Sequence, residues 1–278
     1  MSARLPRGTR LNRRYVVRRV VGQGDFSTVY AAADLRAPRA RLVALKQLPM
    51  QMIVDCERQA DLRVTLRHPA LPPVLGYFAT ATHAYLVEPL IHGHNLEQVL
   101  AATPGFLPEA RVVGWARQLC AALAELHTHP LHPIIFRDLK PNNLMVDRAE
   151  RVYLTDFGLA RAFPAGFFDG RRPPAALTHW RRGYPLGTLG YAPREQHRGV
   201  VTPASDVYGL GATLHHLLTR RDPRRERPFT AELVPVRALN PAVSVGLEAI
   251  VRQALARRPA DRFGSMAEFG SALAAVAA

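Results

Sequence analysis

From the N-terminus to Ile91 the chain alternates between short runs of apolar, β-branched residues and turn residues. Tyr15 to Val21 (YVVRRVV) and Arg41 to Gln47 predict two strands, and Val74–Phe78 with Ala84–Val87 predicts a further pair. Residues Val54 to Leu66 carry helical spacing, with Val54, Ala60, Leu62 and Leu66 as the apolar positions. His68-Pro69 ends that helix, because the residue before a proline is pushed out of the α region. Glu88-Pro89-Leu90-Ile91-His92-Gly93 reads as an extended linker. Beyond it the pattern turns helical, which places a boundary near Ile91 between a part spanning about 12–91 and one spanning 92–278. Pro108 and Glu109 open a helix through Val112, Val113, Ala116, Leu119, Leu123 and Leu126. Ser205 is expected to cap a helix through Val207, Leu210, Leu214, Leu217 and Leu218. Further helices are expected at Leu247–Ala256 and Ser265–Val276, the latter with a Ser265-x-x-Glu268 capping box. The stretch 159–195, rich in Arg, Pro and Gly, is too irregular for packed structure. A loop that long inside a compact domain is usually functional.

Composition narrows the function classes. With 278 residues, 48% of them hydrophobic, the chain can bury the core of one large domain or two lobes. No apolar run is long enough to span a bilayer, and the basic N-terminus lacks the apolar segment of a secretory signal. Cys56 and Cys120 lie far apart and suggest neither zinc nor a disulfide framework, so a reducing, cytoplasmic setting is expected. The net charge of +15 raises nucleic acid as a partner. The basic residues are nonetheless spread along the chain without interleaved aromatics, and no specific nucleic acid is expected. Of 37 basic residues only Lys46 and Lys140 are lysines, leaving 37 − 2 = 35 arginines. Lysine is a compact point charge that arginine does not replace in a narrow phosphate site. The two lysines therefore mark candidate chemistry.

Lys140 falls in the stretch Ile134–Gly158, which also carries Asp138, Asn143 and Asp156. An Asp, a Lys two residues on and an Asn five residues on can face one small volume from a single tight loop. Asp156 follows an expected short strand, Val152–Leu154. Oxygens from Asn143 and Asp156 suit a hard cation such as magnesium, leaving Asp138 free to take a proton. Lys46 lies on the strand that follows a glycine loop, Gly22-Gln23-Gly24. Glycines two apart let a hairpin backbone approach an anion, because no Cβ intervenes. The small Ala44 beside Lys46 suits a flat ligand lying against the sheet.

With the glycine loop, the strand lysine and the Ile134–Gly158 stretch together, the chain resembles the eukaryotic-like protein kinases, specifically bacterial Ser/Thr kinases, from about Tyr15 to Val276. The resemblance implies an α+β, bilobal fold: a small antiparallel N-lobe sheet with one main helix, and a larger, mainly helical C-lobe. It implies a single kinase domain over 1–278. Gly22, Gly24 and Val29 would cover the ATP phosphates and adenine, and Lys46 would hold the α- and β-phosphates. Pro89 and Ile91 would meet the adenine edge through backbone groups. Asp138 would orient and deprotonate the substrate hydroxyl, Lys140 would neutralise the transferring phosphoryl group, and Asn143 and Asp156 would hold Mg2+, with Mn2+ as a substitute. Thr188 would touch Asp138 and Lys140. Glu195 would pair with Arg262, and Asp206 would receive backbone N–H groups of the catalytic loop. The Asp-Leu-Lys-Pro loop at 138–141 is of the Ser/Thr type. The implied partner is a protein with a Ser or Thr acceptor, with self-association for phosphorylation between copies. Thr178, among Arg171, Arg172, Arg181 and Arg182, is the expected autophosphorylation site.

Four departures stand out. The family's helix glutamate falls on Gln59, which can hydrogen-bond Lys46 but carries no charge. Phe136 replaces the His before Arg-Asp. Glu88 stands at the gatekeeper position, where it is expected to contact Lys46 and partly replace the missing glutamate. Ser27 replaces the third loop glycine, and Asp25 sits at the loop tip. The alternative these leave open is a pseudokinase, a nucleotide-binding scaffold or allosteric regulator.

Overall fold

The computed structural model describes residues 4–24, 27–37, 41–164, 187–225 and 233–276. Two compact units share the chain, residues 1–67 with 71–92 and residues 68–70 with 93–278.

The first unit is a six-stranded antiparallel sheet with one helix. Strands β1 (Arg10–Leu11), β2 (Tyr15–Gln23), β3 (Thr28–Asp34), β4 (Leu42–Pro49), β5 (Gly76–Ala79) and β6 (His83–Pro89) are ordered β1-β2-β3-β4-β6-β5. Side chains alternate between the faces of a strand, so the register assigns every residue of β4 and β6 to a face. Val43 and Leu45 join Tyr15, Val17, Tyr30, Tyr85 and Val87 in the core of one face. On the other, Ala44, Lys46 and Leu48 stand opposite Glu88, Leu86 and Ala84. Helix α1 (Ile53–Val64) packs on that second face, where Cys56 meets Leu48, Ala84 and Leu86. Tyr15, Phe78 and Tyr85 stack in series, with ring centroids 5.5 and 4.8 Å apart.

Three expectations for this unit are corrected. Helix α1 buries Cys56, Gln59 and Arg63, whereas Val54 is 67% exposed. It also ends at Val64, ahead of His68-Pro69. Glu88 and Pro89 are not linker but the last residues of β6, paired with Ala44 and Val43.

The second unit is mostly helical: α2 (Leu96–Ala102), α3 (Glu109–His127), α4 (Arg194–His197), α5 (Pro203–Thr219), α6 (Val236–Leu239), α7 (Val245–Ala254) and α8 (Met266–Val276). Its centre is α5, which is buried on nearly every side. Leu210, Leu214, Leu217 and Leu218 are at most 1% exposed, and each contributes about 1.5–3 kcal/mol of burial. The expected Ser205 cap shifts: Thr202 is the N-cap, and Ser205 at the third helical position accepts the Thr202 N–H at 3.1 Å. Small sheets accompany the helices. Strands β7 (Gly93–Asn95), β9 (Leu144–Asp147) and β10 (Val152–Leu154) pair in the order β10-β9-β7, and β8 (Ile134–Ile135) pairs with β11 (Arg161–Ala162). Gly93 is obligatory in the first of these, since a Cβ there would run into the carbonyl of Val146. The segment 159–195 is packed at both ends, against expectation: Ala160, Tyr191 and Ala192 are buried, and Arg161–Ala162 is a strand. Thr178 and the arginines around it lie outside the described residues, as does Asp25. No helix among the described residues is long and apolar enough to cross a membrane.

Candidate active site

In the second unit the site is built on the turn that follows β8. Arg137 adopts φ +74°, a left-handed conformation that costs a non-glycine residue on the order of 1–3 kcal/mol. Groups on both sides of the residue hold it there. The Asp206 carboxylate, at the start of α5, accepts the N–H of Phe136 at 2.8 Å and of Arg137 at 2.7 Å. Gln196 on α4 donates its Nε2 to the Arg137 carbonyl at 2.8 Å. Gly187 makes that reach possible, because a Cβ there would collide with Gln196 and lie 2.7 Å from the Ala192 methyl. The third partner of Asp206 is His127, the last residue of α3, with Nε2 2.8 Å from Oδ2. The peptide that carries Asp138 is thus fixed by three helices.

Asp138 emerges from this turn almost buried. Its Oδ1 accepts the Thr188 hydroxyl at 2.6 Å, and its Oδ2 meets Lys140 Nζ at 2.9 Å and Asn143 Nδ2 at 2.8 Å. Lys140 Nζ also donates to Thr188 Oγ1 at 2.7 Å, and Asn143 Nδ2 to the Asp138 carbonyl at 2.8 Å. Four of the residues singled out by sequence therefore form one hydrogen-bonded cluster. The loop is seated from below by Thr213, which donates to the Leu139 carbonyl at 3.2 Å. Asp156 follows β10 with φ +63° and accepts the Gly158 N–H at 3.2 Å. Phe157 is buried edge-on against Phe136, with centroids 5.1 Å apart and planes at 90°. Phe136 thus serves as packing, in keeping with an aromatic in place of histidine.

The donor chemistry of Asn143 and Asp156 fits a magnesium ion. Asn143 spends its amide nitrogen on Asp138, which leaves its carbonyl oxygen as the uncommitted end, and Asp156 is a carboxylate. Two hard oxygens are what a site completed by phosphates and water requires. Among the described residues there is no group of three or more His, Cys, Asp or Glu side chains that would make a metal site by itself.

Farther along the same unit, Glu195 and Arg262 form a two-pronged pair, with Nη1–Oε1 2.6 Å and Nη2–Oε2 3.3 Å. Arg262 also donates to the carbonyls of Ala256 and Ala204, and its guanidinium lies 4.9 Å from the centre of the Tyr208 ring. A buried pair so fully hydrogen-bonded costs about 3–5 kcal/mol when one partner is removed.

The first unit carries the other half of the sequence-derived set. Gly22 pairs with Val29 across the β2–β3 hairpin, and the Gly24 N–H bonds the Ser27 carbonyl at 2.8 Å. Among the described residues nothing requires either position to be glycine. A Cβ on Gly22 would lie 3.8 Å from its nearest neighbour and one on Gly24 3.4 Å, both ordinary contacts. Ala44 and Lys46 are buried on the α1 face of the sheet, and Ile91 is half-buried just past the end of β6. Gln59 faces the same side from α1, fully buried, its Oε1 accepting no hydrogen bond. Burial pushes the Cys56 thiol up to about 11; Lys46 draws it down, and Asp55, Glu57 and Glu88 push it up. Glu88, expected to turn to Lys46, takes Arg63 as its partner in an ion pair.

Sequence reasoning missed Gln196, His127, Thr213 and Arg63. None belongs to a local motif, and each finds its partner across 9 to 79 positions of chain.

Comparisons with known proteins bear on the family and the fold. The sequence model of the protein kinase domain matches residues 15–267. Serine/threonine-protein kinase PrkC of Bacillus subtilis is 30% identical over 271 residues, covering 92% of this chain and 39% of the relative. Serine/threonine-protein kinase PknL of Mycobacterium tuberculosis is 32% identical over 282 residues, covering 96% and 66%. The chain therefore spans between 39% and 66% of the length of these two relatives. Among solved structures, the M. tuberculosis PknI kinase domain superposes with a TM-score of 0.72 at 24% identity, covering 98% of this chain and 99% of that one. PpkA-294 in its apo form superposes with a TM-score of 0.77 at 23% identity, covering 98% and 100%. These likenesses show the fold, α+β with an antiparallel sheet unit and a mainly helical unit. With motif order, fold and sequence model in agreement, the chain belongs to the protein kinase domain family.

Proposed function

We propose that this chain is a Ser/Thr protein kinase domain, transferring the γ-phosphate of ATP to a protein hydroxyl with Mg2+. The whole of 1–278 is read as one such domain, with lobes of about 12–91 and 92–278. The observation that carries the reading is the cluster of Asp138, Lys140, Asn143 and Thr188 around one clamped carboxylate.

In this reading Asp138 orients the acceptor hydroxyl and takes its proton as the oxygen attacks the γ-phosphorus and the bond to the ADP oxygen breaks. Lys140 offsets the charge on the transferring group, and its bond to Thr188 keeps the ammonium in place beside Asp138. Asn143 and Asp156 supply the metal's protein oxygens; magnesium, when bound, neutralises charge on the phosphates. Gly22 and Gly24, which bring no Cβ to the loop, let backbone N–H groups approach phosphate, and Lys46 holds the α- and β-phosphates. Val29 and Ala44 offer an apolar surface to the adenine, with backbone groups of Pro89 and Ile91 at its edge. Gln59 and Glu88 complete this set as neighbours of Lys46. The acceptor is a Ser or Thr of another protein or of a second copy of this chain, Thr178 being the first candidate within it. A cytoplasmic setting is part of the same reading, in keeping with a chain that uses only two cysteines, Cys56 and Cys120, far apart in sequence.

The test is transfer from labelled ATP with magnesium, wild type against Asp138→Asn. Transfer by the wild type that falls at least about 10²-fold in the variant supports the reading, that being the scale expected when a general base is lost. ATP binding by the wild type without transfer would replace it with the nucleotide-binding scaffold.

A further inference from the structure

The stripe that α1 turns to the sheet consists of Cys56, Gln59 and Arg63, residues three and four apart and so on one face. An arginine there is unexpected. The Arg63 side chain is 1% exposed, among the largest fully buried side chains of the protein. Removing a guanidinium from water costs several kcal/mol unless its charge and its donors are all met. Here the charge is paired and each of the three nitrogens has an acceptor: Nη1 pairs with the Glu88 carboxylate, while Nε donates to the Pro72 carbonyl at 3.0 Å and Nη2 donates to the same oxygen. A single side chain thus ties the last turn of α1 both to β6 and to the segment ahead of β5.

Glu88 is placed for this by the sheet. It stands opposite Ala44 on the neighbouring strand, and therefore on the same face as Lys46 and α1. Gln59, one turn before Arg63, carries no charge toward that face and leaves its buried Oε1 without a donor. Compared with a glutamate at position 59 facing Lys46, the ionic tie has moved one turn along α1 and its charges have changed sides. The cation is on the helix and the carboxylate on the strand.

We propose that Arg63 and Glu88 are a positioning pair for phosphoryl transfer, holding α1 against the sheet in place of a glutamate at position 59. This rests on the kinase reading above, and the experiment separates the two. Single substitutions would leave a buried charge unmatched, so the informative variant is the apolar double, Arg63→Met with Glu88→Met, for which comparable replacements of buried pairs keep proteins folded. In that background Gln59→Glu restores a helix carboxylate. Turnover with saturating ATP, KM for ATP and hydrogen exchange of the α1 amides are measured for wild type, double and triple variants. The double variant is expected to melt cooperatively and to exchange faster along α1. Its kcat is expected to fall at least about tenfold, as misplaced reacting groups do. The triple variant is expected to recover most of that loss and to regain protection of α1. A double variant with wild-type kcat and unchanged α1 exchange overturns the proposal, and so does a triple variant as slow as the double. Should the wild type transfer no phosphate, the kinase reading fails on its own. Exchange along α1 then decides: faster in the double variant and restored in the triple upholds the pair as anchor, and any other pattern overturns it.

Discussion

Replacing Asp206 by asparagine removes one charge and almost no volume, yet it strikes the residue that holds the Asp138 turn. The carboxylate is 1% exposed and accepts three hydrogen bonds, at 2.7, 2.8 and 2.8 Å. A carboxamide has one accepting oxygen. With that oxygen kept on the Arg137 N–H, the amide nitrogen faces the Phe136 N–H, donor against donor. The Phe136 N–H is then buried and unsatisfied, at about 1–3 kcal/mol. The surviving bond loses its charge assistance, which is about half its strength. His127 Nε2 can be recovered as an acceptor of the new amide, so its loss is not counted. The total is a destabilisation of about 3 kcal/mol, read as a lower midpoint with unchanged slope in urea denaturation followed by far-UV circular dichroism. The consequence for chemistry is larger in proportion. Arg137 stays at φ +74° only while its N–H and C=O are both gripped, and its relaxation displaces the neighbouring Asp138. A displacement near 1 Å lowers kcat about 10²-fold. KM for ATP changes less than kcat, because Gly22, Gly24, Val29, Ala44 and Lys46, assigned to the phosphates and adenine, belong to the other unit. An Asp206→Asn protein within about 0.5 kcal/mol of wild type, the scatter of ordinary surface substitutions, and with wild-type kcat would refute the clamp.

Two further outcomes test other parts of the structure. Gly187→Ala forces a methyl group onto Gln196 and to 2.7 Å from the Ala192 Cβ, at a residue with φ +129°. A loss of at least about 2 kcal/mol in chemical denaturation is expected from the strained backbone and displaced clamp together, and a neutral change would remove Gln196 from the account. In the other unit, the Arg14 fork (2.7 and 2.6 Å), helped by the Arg36 N–H, holds the Asp34 carboxyl below its usual range. The folded state then binds that proton less tightly than the unfolded chain. The pair's stability is complete above the unfolded value near pH 4 and is lost as the pH falls through the lower, folded value. Asp34→Asn should flatten the acid limb of the stability–pH curve, and an unchanged slope below about pH 4 would show that Arg14 does not govern this proton.

What could be read from the sequence divides according to the range of the contacts involved. Asp138, Lys140 and Asn143 lie within one turn of chain, so their spacing alone implied the shared volume that the hydrogen bonds now fill. Strands β2, β4, β5, β6 and β10 were legible for the same reason, since composition and alternation over a few residues mark them, whereas the strands β1, β7, β8, β9 and β11, of two to four residues, are too short to show a pattern. Helix α2 was overlooked although it carries a local signal: Asn95 and Gln98 cap it reciprocally, at 2.8 and 3.0 Å. Thr188, 50 residues from Asp138, came within reach only through family resemblance. His127 and Gln196 came into view only with the fold, because a clamp made by side chains on separate helices leaves no periodicity to detect.

The buried face of α1 is the sharper lesson, because the pattern there pointed the wrong way. Val54, Ala60 and Leu62 carry the helical apolar spacing, and Val54 is out in solvent while Gln59 and Arg63 are inside. Hydrophobic patterning assigns arginine to the surface because an isolated guanidinium is too costly to bury. The assignment fails where a carboxylate on another element cancels that cost. The cancelling partner is Glu88, 25 positions away, which shares with Lys46 a sheet face otherwise made of Ala44, Leu48, Ala84 and Leu86. In the sequence, Gln59 in place of the helix glutamate and Glu88 at the gatekeeper looked like unrelated departures, and Arg63 drew no notice. In the proposed reading Arg63 links them, since the ionic tie absent at Gln59 is made one turn later with Glu88. A buried arginine and a carboxylate on facing elements are better weighed as a pair than separately, since the guanidinium is too costly to bury without its partner.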